Sequence, residues 1–301
     1  MRRTILLVTM MAVSLLVASG VALAVTNIGT DGPDTLRGTN GNDNLIGKGS
    51  NDVLLALAGE DNLLGGEGKD YLFTGERRAL GGDKNSLGGP GNDGVFGGLG
   101  SDNLLGGSGN DFVFGDKGSD TLAAGGAGRD LVVDFFPGSD RMLGGGGGDL
   151  IDGSTGTDRM LGGGSGDFIV DGEIDEASKD DLLSGGGGND ILIADHVPAV
   201  KDIVWCGGGF DRVLADRKDV VAADCEKVLV LRGSVEEVLE QEDAFFESLP
   251  PASIRMIEFF DTFFEDQLAP FPEPEGSRTA TSPATQGEPA SHLRAGGHRL
   301  G

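Results

Sequence analysis

The stretch GGSGNDFVFGDKGSDTL, which runs from Gly106 to Leu122, contains the pattern that decides the fold of this chain. Glycine and small polar residues lead to Asp111, a short apolar segment follows, and the same order of residue types then leads to Asp120. Each aspartate stands two residues before an apolar side chain, Val113 or Leu122. The pattern therefore joins a carboxylate in a glycine-rich turn to an apolar residue in a short strand.

The same pattern recurs along much of the 301-residue chain. Eighteen aspartates align, from Asp34 to Asp211, and each is followed two residues later by an apolar side chain. Fourteen of them have glycine two residues before the aspartate. In a three-residue strand the middle side chain points opposite to its neighbours, so this apolar residue is predicted to face a core. Two turns and two strands are expected to close one coil, which places equivalent aspartates in neighbouring coils side by side.

The charge of the chain indicates cation binding. Acidic residues outnumber basic residues 49 to 23, and this argues against nucleic acid as a partner, because phosphate binding needs clustered lysine and arginine. Stacked carboxylates about 4.8 Å apart repel each other unless a cation lies between them. Ca²⁺ suits such turns because it accepts carboxylate and backbone carbonyl oxygens in a flexible shell. We therefore expect several calcium ions; zinc would require histidine or cysteine, which these turns lack.

The candidate calcium ligands are aspartates of the turns and the glycines that lie two or four residues before them. Glycine permits backbone angles that aim carbonyl oxygens inward. The candidate aspartates are Asp43, Asp52, Asp61, Asp70, Asp93, Asp102, Asp111, Asp120, Asp130, Asp140, Asp149, Asp158, Asp167, Asp190 and Asp211. The candidate glycines are Gly41, Gly59, Gly66, Gly68, Gly89, Gly91, Gly98, Gly100, Gly107, Gly109, Gly145, Gly147, Gly186 and Gly188.

The best copies of the repeat are GGEGKDYLF from Gly65, GGLGSDNLL from Gly97 and GGGGNDILI from Gly185. They resemble the RTX family of calcium-binding nonapeptide repeats, over about residues 28–214. The resemblance implies an all-β fold: a right-handed parallel β-roll with two nonapeptides per coil, two thin sheets and turns stacked along both edges. We expect calcium to drive folding, because burial of one reliable apolar side chain per repeat does not offset the entropy of ordering nine residues.

The pattern is interrupted at several places, and calcium sites beside them are doubtful. Thr74 to Leu87 has no aspartate in phase, extra residues precede Asp130 and Asp140, and longer segments occur at 171–180 and 194–200. Residues 215–232 contain no glycine and carry charges of both signs, and they are predicted to form a terminal coil.

Of the two cysteines, Cys206 precedes this terminal coil and Cys225 lies within it. In an exported protein an even number of cysteines suggests a disulfide, and two free buried thiols are the alternative.

The N-terminal segment has the pattern of an export signal. Arg2 and Arg3 precede an apolar run, and Ala22-Leu23-Ala24 fits a cleavage site after Ala24. Residues 1–24 are therefore predicted to be removed from a secreted protein without a membrane span; an uncleaved membrane anchor is the alternative.

Two acidic amphipathic helices are predicted in residues 233–268, within Ser234 to Leu249 and Ser253 to Leu268. Their phenylalanine-rich faces are expected to pack on the end of the roll, or else to bind a protein or cell-surface partner. The tail, residues 269–301, has the composition of a disordered segment.

No catalytic motif stands out in the sequence. HExxH and G-x-S-x-G are both absent, and the repeated carboxylates are better explained as metal ligands than as a catalytic acid and base. The sequence thus predicts a non-enzymatic, exported calcium-binding protein. A surface adhesin or matrix protein built on the roll, and a divergent secreted hydrolase, are the alternatives.

Overall fold

The computed structural model describes residues 24–75, 85–171, 180–196, 199–232, 235–256 and 258–259. Residues 1–23 of the expected signal peptide and the expected tail 269–301 lie outside this part of the chain, as do most of the segment 171–180 and residues 76–84. The chain forms two compact units, which meet in sequence between Arg232 and Gly233.

The first unit contains two parallel sheets of 11 strands each, and the chain alternates between them. The first sheet contains β1 (Thr26–Ile28), β3 (Asn44–Gly49), β5 (Asn62–Glu67), β7 (Asn85–Pro90), β9 (Asn103–Ser108), β11 (Leu122–Ala127), β13 (Arg141–Gly146), β15 (Arg159–Gly164), β17 (Leu182–Gly188), β19 (Ile203–Gly209) and β21 (Val220–Val221). The second sheet contains β2 (Thr35–Arg37), β4 (Val53–Leu55), β6 (Tyr71–Phe73), β8 (Gly94–Gly100), β10 (Phe112–Gly118), β12 (Leu131–Val133), β14 (Leu150–Asp152), β16 (Phe168–Val170), β18 (Ile191–Ala194), β20 (Arg212–Ala215) and β22 (Lys227–Val230).

The strand register confirms a β-solenoid with two repeats per coil. Val53 pairs with Tyr71 and Leu54 with Leu72, in parallel, so one coil separates residues 18 positions apart. Each short strand presents its middle side chain to the space between the sheets, as the alternation of side chains in a strand requires. The fold predicted from the repeat is therefore confirmed.

The middle side chains of the strands stack into one continuous core. All the apolar residues predicted to face inward are buried there, from Leu36 to Val213, with the exception of Leu122. Thr121 is an additional residue between Asp120 and strand β11, so Ala123 takes the core position, 1 % exposed, and Leu122 points away from it. The prediction for Leu122 was wrong because the insertion shifts the alternation of the strand by one residue.

The two sheets differ on their outer faces. Outward-pointing residues of the first sheet are partly exposed, as Leu64 and Trp205 show. On the second sheet many of the corresponding side chains are apolar and buried; they include Phe112, Leu131, Leu150, Phe168 and Ile191. From β10 to β18 the second sheet therefore carries buried apolar side chains on both faces, whereas Arg37 and Lys227 near its ends are exposed.

Interruptions of the repeat do not interrupt the sheets. Strand β7 pairs with β5 and β9 although no aspartate precedes it in phase. Its core position is occupied by Ser86, whose hydroxyl is buried without a hydrogen-bond partner. The coil thus closes here although its core position holds a polar side chain, because β7 pairs with a strand on each side.

The solenoid continues beyond the last aspartate of the repeat. Strand β22 pairs with β20 and completes a terminal coil. Cys206 in β19 and Cys225 before β22 form the predicted disulfide, with Cα atoms 5.2 Å apart. The second unit begins with helix α1 (Val235–Glu247), and a second helical segment starts at residue 251. The presence of a C-terminal helical segment is therefore confirmed, whereas residues 260–268 of the predicted second helix lie outside the described residues. Among the described residues no helix is long and apolar enough to cross a lipid bilayer.

Candidate metal centres

The aspartates of the repeat lie in two buried rows, one along each edge of the solenoid. We refer to the turns that lead into the second sheet as the second edge, and to those that lead into the first sheet as the first edge. The second edge holds Asp34, Asp52, Asp70, Asp93, Asp111, Asp130, Asp149, Asp167, Asp190 and Asp211. The first edge holds Asp43, Asp61, Asp102, Asp120, Asp140, Asp158, Asp181 and Asp202. All 15 candidate aspartates are thus brought into the rows, together with Asp34, Asp181 and Asp202.

One oxygen of each carboxylate on the second edge links two consecutive coils. The backbone N–H of Asp93 donates a hydrogen bond to Asp111 Oδ1 at 2.8 Å, and that of Asp111 donates to Asp130 Oδ1 at 2.8 Å. The same bond occurs at every step from Asp34 to Asp211, where Glu226 Oε2 ends the row. The hydrogen-bond ladder therefore passes the extra residue before Asp130 without a break. The expectation about the calcium sites beside the insertions stays a prediction.

The other oxygen of these carboxylates has no hydrogen-bond partner. From Asp52 to Asp211, Oδ2 is buried and accepts no hydrogen bond in nine successive coils. The side chains are 0 % exposed, so water does not solvate the oxygen either. A buried, ionised and unpaired carboxylate oxygen is costly, and a positive charge beside it removes that cost.

Seven of the nine unpaired oxygens face a backbone carbonyl across a glycine. A Cβ atom on Gly106 would stand 2.6 Å from Asp111 Oδ2 and 2.6 Å from the carbonyl oxygen of Gly125 in the next coil. Carboxylate and carbonyl thus point into one small space, which exists because Gly106 has no side chain. The same arrangement surrounds Gly29, Gly47, Gly65, Gly88, Gly144, Gly162 and Gly185.

The prediction missed these glycines, which stand five residues before the aspartate. Their signal was present, since the first position of the GGxGxD copies is glycine, but it was read only as a requirement of the turn. The predicted glycines stand elsewhere: Gly107 and Gly109 have φ values of 128° and 129°, and a Cβ on either would collide with the backbone of the preceding coil. Every other predicted glycine except Gly41 shares this left-handed angle. These glycines let the turns stack closely, and their part in ion binding stays a prediction.

The first edge repeats the ladder over most of its length. The Asp43 N–H donates to Asp61 Oδ1 at 2.7 Å, and the Asp102 N–H donates to Asp120 Oδ1 at 2.9 Å. From Asp102 onward each aspartate is linked to the next, and Asp219 Oδ1 receives the last of these bonds. The in-phase position between Asp61 and Asp102 is Lys84, which lies outside the described residues.

A histidine lies between two carboxylates on the first edge. His196 is buried, with Nδ1 3.2 Å from Asp202 Oδ2 and Nε2 3.7 Å from Asp171 Oδ1. Burial lowers the pKa of His196, but the two carboxylates outweigh burial and raise it to about 10. A protonated imidazole therefore supplies positive charge in this turn. No role for His196 follows from the sequence, because Asp171 and Asp202 become its neighbours only when the coils stack.

Burial changes the acidity of the second-edge carboxyl groups. It raises the pKa of Asp93 to about 7, of Asp111 to about 8 and of Asp167 to about 9. The backbone N–H bond to each group lowers the pKa, and the carboxylates of adjacent coils raise it further. Near neutral pH, therefore, a bound dication would compete with protons for these groups.

The oxygen atoms in these turns fit Ca²⁺. They are carboxylate and backbone carbonyl oxygens, which are hard ligands, and their number around each glycine can vary from coil to coil. Calcium accepts such an irregular shell, whereas Mg²⁺ demands a near-ideal octahedron. Soft transition metals would favour cysteine or histidine ligands instead.

Comparison with known proteins agrees with this chemistry. The family model of the RTX calcium-binding nonapeptide repeat matches residues 28–63, 46–76, 87–122, 136–169 and 178–195. Among curated proteins, none matches the chain. The matched segments hold most of the coils in which a buried carboxylate and a carbonyl meet across a glycine. The repeat region of the chain, residues 28–195, therefore belongs to the RTX calcium-binding nonapeptide repeats.

Proposed function

We propose that this chain is an exported, non-enzymatic protein whose solenoid folds when it binds calcium. The observation that carries the proposal is the row of nine buried Oδ2 atoms on the second edge, none of which accepts a hydrogen bond. So many buried carboxylates in contact with one another would oppose folding, and calcium ions between the coils would reverse the sign of that interaction.

Coupling of folding to calcium is supported by the way the sites are built. Each carboxylate belongs to one coil and the carbonyl that it faces to the next coil, as Asp111 and Gly125 show. The unfolded chain therefore contains no preformed site, and the free energy of ion binding becomes free energy of folding. The high glycine content adds to the need for ions, since glycine loses the most conformational freedom when it is ordered.

A circular dichroism titration tests the proposal. The full chain is prepared in chelator and titrated with Ca²⁺, and in parallel with Mg²⁺ at the same ionic strength. We expect a largely disordered chain that gains β-structure cooperatively with calcium, at about 0.1–1 mM as in extracellular calcium modules, and far less with magnesium. An unchanged β-spectrum in excess chelator would falsify calcium-coupled folding.

Export is supported by two features. The RTX repeats are typical of secreted proteins, and the disulfide Cys206–Cys225 is of the kind that persists in oxidising compartments. Residues 1–24 have the pattern of a signal peptide, which would direct the chain to export. We expect the protein in the culture medium, or released from cells by chelator, with Val25 as its first residue. A protein that keeps residues 1–24 and stays in the membrane fraction would identify the segment as an anchor.

The repeat module itself is a structural calcium-binding unit rather than a catalytic one. The proposal extends this to the whole chain, because neither HExxH nor G-x-S-x-G occurs in the sequence.

A further inference from the structure

A position of the first edge that holds Gly97, Gly115 and Gly153 in three turns carries a carboxylate, Asp134, in the turn between the last two. Asp171 takes the same position one coil after Gly153. The pairing of strands β10 and β12 places Asp134 one coil beyond Gly115. In the preceding turn of this edge, around Gly97, the ordinary arrangement is present: Asp102 Oδ2 faces the carbonyl oxygen of Gly115. The question is therefore what the side chain of Asp134 does in the following turn.

The side chain of Asp134 points into the space around Gly115. The nearest atoms to the missing Cβ of Gly115 are Asp134 Oδ2 and Asp120 Oδ2, and a carboxylate oxygen of Asp140 joins them so that all three lie within 4.8 Å of one another. Asp134 is only 1 % exposed; its Oδ1 accepts the N–H of Phe136 at 3.0 Å, and its Oδ2 has no hydrogen-bond partner. A buried, unpartnered oxygen is thus aimed at the same space as two other carboxylates.

No lysine or arginine of the described residues is paired with the three carboxylates of Asp120, Asp134 and Asp140. The ammonium group of Lys117 lies instead over the ring of Phe136, 4.9 Å from its centre. Three such carboxylates can remain ionised together only around a cation.

We propose that Asp120, Asp134 and Asp140 form a calcium site that binds Ca²⁺, and its trivalent analogue Tb³⁺, more tightly than the sites of the repeat. The site replaces a neutral carbonyl ligand by a third carboxylate, and the affinity of calcium sites is tuned by the number of charged ligands. Asp134 lies between the segments 87–122 and 136–169 that match the RTX repeat, so the family does not account for it. The proposal rests on the proposed function, since it assumes that the roll binds calcium.

Terbium competition tests the site while the fold is held constant. The full chain is kept folded in saturating calcium, Tb³⁺ is added in small steps, and bound Tb³⁺ is followed by its directly excited luminescence. We expect one terbium ion per chain to bind at concentrations at least about tenfold lower than the remaining ions. The variant Asp134→Asn, which keeps the shape of the side chain and removes its charge, should lose this first phase.

The variant Asp149→Asn is the matched control. It removes one carboxylate from an ordinary site, where Asp149 Oδ2 faces the carbonyl of Gly162 around Gly144, and it should keep the tight phase. Should Asp134→Asn not fold in saturating calcium, Asp134→Gly restores the residue of the neighbouring turn and takes its place. A wild-type chain without a tight phase, or an Asp134 variant that retains it, overturns the proposal. If the wild-type chain shows no response to calcium at all, the proposed function fails instead.

Discussion

A single methyl group at Gly106 should weaken the calcium-dependent folding of the roll. The backbone of Gly106 has no left-handed angle, so alanine fits its conformation, but the methyl group would stand 2.6 Å from Asp111 Oδ2 and from the Gly125 carbonyl oxygen. We expect Gly106→Ala to shift the calcium-dependent folding transition, followed by circular dichroism, to higher calcium, at a cost of about 1–3 kcal/mol at fixed calcium. The control is Gly146→Ala, whose added carbon meets no atom within 4 Å. Equal transitions for the two variants would contradict the placement of the ion.

His196 should stabilise the roll through its charge. Replacement by alanine leaves Asp171 and Asp202 buried without a counter-charge, and breaking a buried pair costs about 3–5 kcal/mol. Because the folded pKa of about 10 exceeds the unfolded value of about 6.5, this contribution is fully present below pH ~6.5 and is lost as the pH rises through about 10.

Urea unfolding of His196→Ala in saturating calcium, at acidic and at alkaline pH, measures this effect. As a control, Lys201→Ala removes an exposed ion pair with Asp180, whose atoms are 4.0 Å apart, and should change stability by less than about 1 kcal/mol. The loss of unfolding free energy in His196→Ala should be larger than in Lys201→Ala and should become smaller toward alkaline pH. If either expectation fails, the charge of the imidazole does not stabilise the roll.

At the scale of elements, the second-edge ladder should make protons and calcium compete. The folded pKa values of Asp93 and Asp111, about 7 and about 8, exceed the unfolded value of about 3.9, so folding favours the protonated form. The calcium-free roll should therefore gain stability as the pH falls from about 8 toward about 4, and lose it as the pH rises through that window.

Two measurements check this ladder. In chelator, acidification should increase the circular dichroism signal of β-structure. The further increase of this signal on adding calcium should be smallest at acidic pH. At neutral pH, calcium binding should release protons, which calorimetry in buffers of different ionisation enthalpy detects. Calcium binding without proton release, together with a circular dichroism spectrum in chelator that does not change with pH, would mean that the carboxyl groups are already ionised in the absence of calcium.

At the scale of the whole molecule, the disulfide should hold the terminal coil closed. Cys206 and Cys225 are separated by 19 residues, and such a loop is worth about 3 kcal/mol on the chain-entropy estimate. We expect the double variant Cys206→Ala/Cys225→Ala to unfold at correspondingly lower urea in saturating calcium. Amide exchange should rise first in strands β21 and β22, because they end the stack. Exchange that rises uniformly along the roll would instead assign the disulfide a global role.

Much of this architecture follows from local sequence. The apolar residue two positions after each aspartate, such as Val113, predicts an inward-facing strand, and the regular spacing predicts coils of two repeats. The neighbourhood of Asp93 and Asp111 follows from that spacing alone. These predictions held because each repeat forms the same turn and strand and contacts only the coils before and after it.

What the sequence by itself determined is the solenoid, its two rows of carboxylates and the choice of an oxygen-binding cation, because all of these depend on residues at regular spacing. The tertiary structure decided what depends on residues brought together irregularly. Thr121 moved Leu122 out of the core, His196 came to lie between Asp171 and Asp202, and outer side chains of the second sheet became buried. Asp134 joined Asp120 and Asp140 for the same reason. Inserted residues do not follow the regular spacing of the repeat. Only the stacking of the coils therefore shows which neighbours their side chains contact.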